Sequence, residues 1–338
     1  VAVLLLACLL LVGVGYYLLR LMSGVLTVDR AKVEVRLGRG ELLFPGEDQG
    51  LHGLSPGPSS SLVAFIVSGG EGDFLLVREA VPGGREVARL PCGEDTLICW
   101  ASHPERLVYG DSSGLFLGRV AEDGGLRVSR MTGPGGVAFP SCSPDGRWLA
   151  WADFNLDPPL YRWASLEGGG RGSIPYGLGE PLWFPDGGAF LHRGGPGKKA
   201  RTLYRVDPVS GLEERWCELD RDPLFLWFSR EGRLFYLSRS EDWGYAEGLM
   251  VAEARPDKGD EKVLLASGSY PSENLVLAVD PEGKRVALRG REGLEILDLE
   301  AGVLYRYPEV TGVKEAAFHS RGGYLFFLDE RGIWRMEI

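Results

Sequence analysis

The feature that most constrains this chain is a turn that recurs along it. Its clearest copy is Phe139-Pro140-Ser141-Cys142-Ser143-Pro144-Asp145-Gly146-Arg147-Trp148-Leu149-Ala150-Trp151, an apolar stretch that meets Ser-Pro-Asp-Gly and then begins a second apolar run. Related copies are Trp183-Phe184-Pro185-Asp186-Gly187, Phe228-Ser229-Arg230-Glu231-Gly232 and Val279-Asp280-Pro281-Glu282-Gly283. Weaker ones are Leu54-Ser55-Pro56-Gly57, Ser102-His103-Pro104-Glu105 and His319-Ser320-Arg321-Gly322-Gly323. Aligned on the proline position, the turns fall at 56, 104, 144, 185, 230, 281 and 321, with spacings of 48, 40, 41, 45, 51 and 40 residues. Proline sets φ at the first corner, the acidic side chain can hydrogen-bond its own backbone, and glycine accepts a left-handed conformation.

Each turn leads into a short β-type run, such as Leu62–Val67, Trp148–Trp151 or Tyr324–Leu328. A third run follows in most units, as at Asp73–Val77 or Leu294–Leu297, and usually a fourth. Four short strands per unit of 40 to 51 residues predict a propeller blade, and seven turns predict seven blades. Gly and Pro (49 and 21 residues) make up about a fifth of the chain, which suits many tight turns and argues against a helical bundle.

The last unit holds three runs, Glu315–Ser320, Tyr324–Leu328 and Ile333–Ile338. Near the other end, Val33, Val35 and Leu37 alternate with Lys32, Glu34 and Arg36, a half-buried strand pattern. Paired with the last blade, that segment would supply its missing outer strand and close the ring; otherwise residues 31 to 44 are a stalk.

Val1 to Leu19 carries no charge, and at helical rise spans about 28 Å, close to the thickness of a bilayer core. It reads as a transmembrane helix with Tyr16 and Tyr17 near one boundary. Leu5-Leu6-Ala7-Cys8 resembles a bacterial lipobox, but the apolar run continues past Cys8, so an uncleaved anchor is the better reading. Arg20, Arg30, Lys32 and Arg36 follow the segment and, taken literally, keep the body in the cytoplasm. A signal anchor before a large secreted body is the commoner plan, and the reading adopted is extracytoplasmic, in the periplasm or at the cell surface. The expected organisation is an anchor at 1–28, a linker with the ring-closing strand at 29–48, and an all-β seven-bladed propeller at 49–338.

The Ser-Pro-Asp-Gly turn ahead of an apolar strand resembles the WD40-like repeat of TolB-type propellers. It is also similar to the repeats in the propeller halves of prolyl-oligopeptidase-type enzymes. The resemblance covers residues 31 to 338 and implies a propeller; because the motif is a structural turn, it implies little about function. The Gly-His and Trp-Asp marks of true WD40 repeats are absent.

Chemistry-bearing patterns are few. Gly53-Leu54-Ser55-Pro56-Gly57 matches the Gly-x-Ser-x-Gly nucleophile motif, but that motif needs a strand-to-helix elbow, and here a strand follows. Asp207 to Gly211 and Asp298 to Gly302 share a D-x-x-x-G spacing that resembles quinoprotein repeats and equally makes a hairpin turn. His52, His103 and His319 fall on or beside the innermost strands of blades one, two and seven, which are neighbours in a closed ring. Three converging imidazoles can hold a divalent metal, as in some propeller lyases with similar repeats; scattered polar strand residues are the alternative. Cys92 and Cys99 flank the connection between blades one and two and could bridge in an oxidising compartment; otherwise they are buried thiols.

Trp243 and Tyr245 in Ser240–Gly248, the excursion 153–161, and Gly194–Lys199 with its Lys198 and Lys199 are candidate contact loops. A net charge of −10 argues against a phosphate-tracking nucleic-acid binder. No catalytic, cofactor or metal-ligating residue is assigned. The expected function is a membrane-tethered, non-catalytic module that recognises a protein in or near the membrane, or a surface glycan. The alternative is a propeller enzyme, a lyase or hydrolase acting on carbohydrate at a central-channel site.

Overall fold

The computed structural model describes residues 26–27, 32–38, 40–46, 50–59, 61–102, 106–121, 125–194, 201–239, 249–255, 260–267, 276–290, 293–319 and 323–338. These form seven sheets of mostly antiparallel strands, each one blade of a propeller. Blade one comprises Gly50–Pro56, Leu62–Gly69, Gly72–Glu79 and Glu86–Cys92, from channel to rim. Blade two begins with Leu97–Ala101, blade three with Val137–Cys142 and blade four with Leu178–Trp183. Blades five, six and seven begin with Pro223–Phe228, Val276–Val279 and Glu315–Phe318.

Where it is described, the repeated turn joins the first and second strand of its blade. At Ser143, the hydroxyl accepts from the Trp148 amide at 2.9 Å and donates to Asp145 Oδ1 at 2.6 Å, while Asp145 also accepts from the Arg147 amide. Gly146 holds φ at 72°, the left-handed corner that the motif requires. Neighbouring turns also interlock: the Arg230 amide donates to the Glu282 carbonyl, and the Arg230 guanidinium to the Glu282 carboxylate at 3.0 Å. D-x-x-x-G is a hairpin turn here, with Asp207 Oδ1 accepting from the Val209 and Ser210 amides, and Asp298 Oδ1 from those of Glu300 and Ala301.

The core lies between blades. Each apolar strand face packs on the next sheet, as where Val63, Phe65 and Leu76 meet Phe44, Phe326 and Ile333. Several tryptophans belong to this packing, with Trp151, Trp163, Trp183 and Trp227 all buried. Trp100 Nε1 donates to the Ser55 carbonyl at 3.1 Å, and Trp183 Nε1 to the Ser141 carbonyl at 3.0 Å. In both cases an indole of one blade satisfies a carbonyl on the innermost strand of the blade before it.

Ring closure is real, but its strand is not the alternating run expected to provide it. The outer strand of blade seven is Glu41–Pro45, paired antiparallel with Gly332–Glu337. Its Leu43 and Phe44 are buried, and Phe44 stacks on Phe65 of blade one at 5.5 Å. Lys32–Val35 instead adds a fifth, parallel strand to the rim of blade six, where Val35 and the following Leu37 stay 63% and 78% exposed. Alternation marked a strand correctly, but it is the adjacent apolar pair Leu43-Phe44 that fills the seam between blades seven and one. Leu26–Thr27 pairs in parallel with the rim of blade five, although it falls within the range expected of the anchor. The rest of the expected anchor, Val1–Leu19 and Cys8 included, lies outside the described residues. Among the described residues no helix is long and apolar enough to cross a membrane.

Candidate functional site

The innermost strands depart from regular pairing. In five blades they slip register against the second strand: between His52 and Ser55, Ala138 and Ser141, Leu178 and Leu182, Pro223 and Phe225, and Val276 and Ala278. Such bulges re-aim side chains and expose backbone groups. Gly53 and Gly179 take the left-handed conformation at two of them, with φ of 67° and 79°. At a third, Phe139 adopts φ of 53°, the one non-glycine among the described residues to do so. A left-handed aromatic residue costs about 1–2 kcal/mol, and is held here by packing against the cluster around Tyr161, Trp163 and Trp183.

Around these bulges the innermost strands of blades seven, one, two, three and four enclose a cavity of about 390 Å³. Two carboxyl groups stand in its wall. Glu315 accepts from the Gly53 amide at 3.0 Å and the Leu54 amide at 2.7 Å, one per oxygen, so it locks blade seven to the bulge of blade one. Glu180 faces the cavity beside the Gly179 bulge; its side chain is open to the channel, yet the walls around it strip enough water from the carboxyl to raise it above the ordinary range. A carboxyl held this way in a concave site is suited to meet a hydrogen-bond donor or a cation from a ligand. Apolar wall is supplied by Leu54, Leu97, Ile98, Trp100 and Phe139. Leu97 is 39% exposed despite its place on an innermost strand, as are Leu224 (47%) and Phe225 (39%) on blade five.

Cys99 and Cys142 bring their sulfur atoms to 3.0 Å across the seam between blades two and three, in the wall of the same cavity. A Cys92–Cys99 bridge does not fit. Cys92 ends the outermost strand of blade one, whereas Cys99 lies on the innermost strand of blade two. Both are free thiols, and the Cys99 sulfur is turned to Cys142 on the following blade.

The three histidines are not brought together by what is described of them. His52 stands near the start of its innermost strand, whereas His319 follows the end of another, stacked near Tyr324 and Phe326. Equivalent strands run the same way along the axis, so the two imidazoles belong to opposite ends of the channel. His103 lies outside the described residues, as do Trp243, Tyr245, Lys198 and Lys199. Among the described residues no three His, Cys, Asp or Glu side chains are grouped to hold a metal. The fourth histidine, His192, is buried in blade four, with Nε2 2.8 Å from Glu213 Oε1 and Nδ1 3.0 Å from the Arg193 carbonyl.

Ser55 of the Gly-x-Ser-x-Gly motif sits on an innermost strand followed by another strand, as its context predicted. Its neighbours' amides engage Glu315 and its carbonyl engages Trp100, all between blades. Sequence reasoning missed Glu180, Glu315 and the Cys99–Cys142 pair. Only one local signal pointed to them: the innermost strands carry Gly179-Glu180 and Gly53-Leu54, and a glycine within a strand marks a bulge.

No family model matches the chain, and no curated protein matches it. Solved structures do. TolB from Acinetobacter baumannii is 19% identical with a TM-score of 0.51, over 74% of this chain and 64% of that one. This chain therefore aligns with less than two thirds of TolB's length. An oligogalacturonate lyase solved in complex with manganese is 13% identical with a TM-score of 0.63, over 88% and 92%. The C-terminal WD40 domain of Sif2 is 12% identical with a TM-score of 0.57, over 89% and 99%. The likeness is one of fold. It agrees with the resemblance of the turn repeat to TolB-type and WD40-like propellers, and at these identities it assigns no activity.

Proposed function

We propose that this propeller is a non-catalytic recognition module whose channel cavity receives a donor-bearing group of a partner protein. The observation that carries the reading is the cavity itself: apolar side chains from blades one, two and three beside two carboxyl groups, of which Glu315 is engaged by the Gly53 and Leu54 amides and Glu180 is turned towards the space. Such a mixture suits an apolar segment carrying an amine, amide or hydroxyl. The TolB and WD40 neighbours favour the same kind of role. We further propose that Val1–Leu19 tethers the ring to a membrane, with the propeller in the cell envelope, from the length and uncharged character of that run.

A photo-crosslinking amino acid at Leu97, introduced into the full chain in intact cells, tests the first part. A discrete protein adduct is expected there and not at Val209, which projects from an outer turn. No adduct at Leu97, or equal adducts at both positions, would overturn the reading. Protease added before and after lysis tests the tether: cleavage of the ring before lysis is expected. The manganese-bound lyase neighbour keeps a second reading in view, a carbohydrate-active propeller. That reading predicts stoichiometric metal in the purified protein, which the recognition reading does not.

A further inference from the structure

The closest approach between reactive side chains in the channel is the Cys99–Cys142 pair, and its geometry separates the roles open to two thiols. Two sulfurs sharing a tetrahedral zinc, at about 2.3 Å from the metal, stand about 3.8 Å apart, and a linear two-coordinate ion holds them farther still. At 3.0 Å the pair is too close for either, and about 1 Å longer than a covalent sulfur–sulfur bond. The residues lie 43 positions apart, on different blades, so any bond between them joins two sheets. The cavity gives a small reagent access to both sulfurs.

We propose that Cys99 and Cys142 form a reversible inter-blade disulfide, made by exchange with a low-molecular-weight disulfide that enters the channel. One cysteine thiolate attacks the reagent's sulfur, giving a mixed disulfide and releasing one reagent thiol. The second cysteine thiolate then attacks the protein sulfur of that mixed disulfide, closing the protein bond and expelling the second reagent thiol. Two protein thiols are oxidised, one reagent disulfide is reduced to two thiols, and the two protons leave with those thiols. The bond fixes the seam between blades two and three where the cavity sits. It is made faster by raising the pH: burial, followed by the neighbouring Cys142 thiol, holds Cys99 well above the ordinary thiol range, so its thiolate fraction grows about tenfold per pH unit. Cys92 and Cys217 serve as internal controls, since among the described residues the sulfur–sulfur contact is that of Cys99 with Cys142.

The test incubates the folded full-length protein with excess hydroxyethyl disulfide at pH 8, blocks residual thiols with a maleimide after denaturation, and maps the digest by mass spectrometry. The expected product is one cross-linked peptide pair containing Cys99 and Cys142, two hydrogens lighter than the free peptides and abolished by dithiothreitol. Oxidation is expected to raise the melting temperature by about 5 °C, as for a loop of this size. Cys142→Ala should abolish both effects, whereas Cys92→Ala and Cys217→Ala should leave them intact. Full maleimide labelling of Cys99 and Cys142 after treatment, a stable mixed disulfide at either, or a bond from Cys99 to Cys92 would each overturn the proposal. The wild-type map decides alone if a variant fails to fold.

Discussion

The two parts of each blade are built by different means. At the turn end, the partners are local: Ser143, Asp145 and Trp148 satisfy one another within five positions. In the channel wall the partners are distant. Glu315 reaches Gly53 and Leu54 across more than 260 positions, and Cys99 meets Cys142 across 43. The described turns recur because similar local chemistry solves the same problem from blade to blade. The channel wall does not repeat, and there the left-handed Phe139 and the raised carboxyl of Glu180 are found.

Mutations weigh the two parts against each other. The largest effect is expected at the long-range closure: Phe44→Ala should cost about 3–5 kcal/mol in chemical denaturation, because the ring is buried between blades seven and one. By contrast Val35→Ala, on the exposed strand at the rim of blade six, should change stability by about 0.5 kcal/mol or less. Equal losses at the two positions would mean that closure rests on the whole N-terminal strap.

Next come the turns. Gly283 holds φ of 69°, and a Cβ there would lie 2.5 Å from Ser229 Cα in the neighbouring turn, so Gly283→Ala should cost about 2 kcal/mol or more. Asp145→Ala, which removes only one turn's hydrogen bonds, should cost about 1 kcal/mol. If Asp145→Ala proved worse than Phe44→Ala, local turn chemistry would outweigh long-range closure, and the comparison would reverse.

The channel wall should respond least in stability and most in pH behaviour and binding. A carboxyl whose folded pKa is raised binds its proton more tightly in the folded than in the unfolded state. Its favourable contribution is therefore complete below the unfolded pKa and is lost as pH rises through the folded one. Glu180→Gln removes that loss. It should stabilise the protein at pH 7, by about 0.5 kcal/mol or less because the channel admits water, and the gain should vanish at pH 4. A variant equally stabilised at both values would show that Glu180 is not the group concerned. Leu97→Ser should alter stability by about 0.5 kcal/mol or less, yet reduce partner capture by the channel. Unchanged capture would move the recognition surface elsewhere.

Much of the architecture was legible in the residue pattern. The seven turns, the strands that follow them and the need for an N-terminal closing strand were all readable, because each depends on residues close in sequence or on a count of strands. The closing strand itself was misplaced by about ten residues. Val33, Val35 and Leu37 carry the better alternation, but Leu43 and Phe44 have the bulk that the seam requires. Alternation reports two unlike faces; it does not report which gap those faces fill. The cysteine pairing failed for a related reason. Cys92 and Cys99 are close along the chain, but the connection between blades runs from rim to channel, and so carries them apart.

What the sequence determined by itself is the blade: a Pro-Asp-Gly turn has the same conformation wherever it occurs, because its hydrogen bonds close within a few residues. Only the tertiary structure decided which side chains share the channel. Glu180, Glu315, Cys99 and Cys142 come from four different blades, and nothing in their local sequence encodes a neighbour on another sheet. Their meeting follows from circular closure, which sets the angle between blades and brings seven innermost strands around one axis.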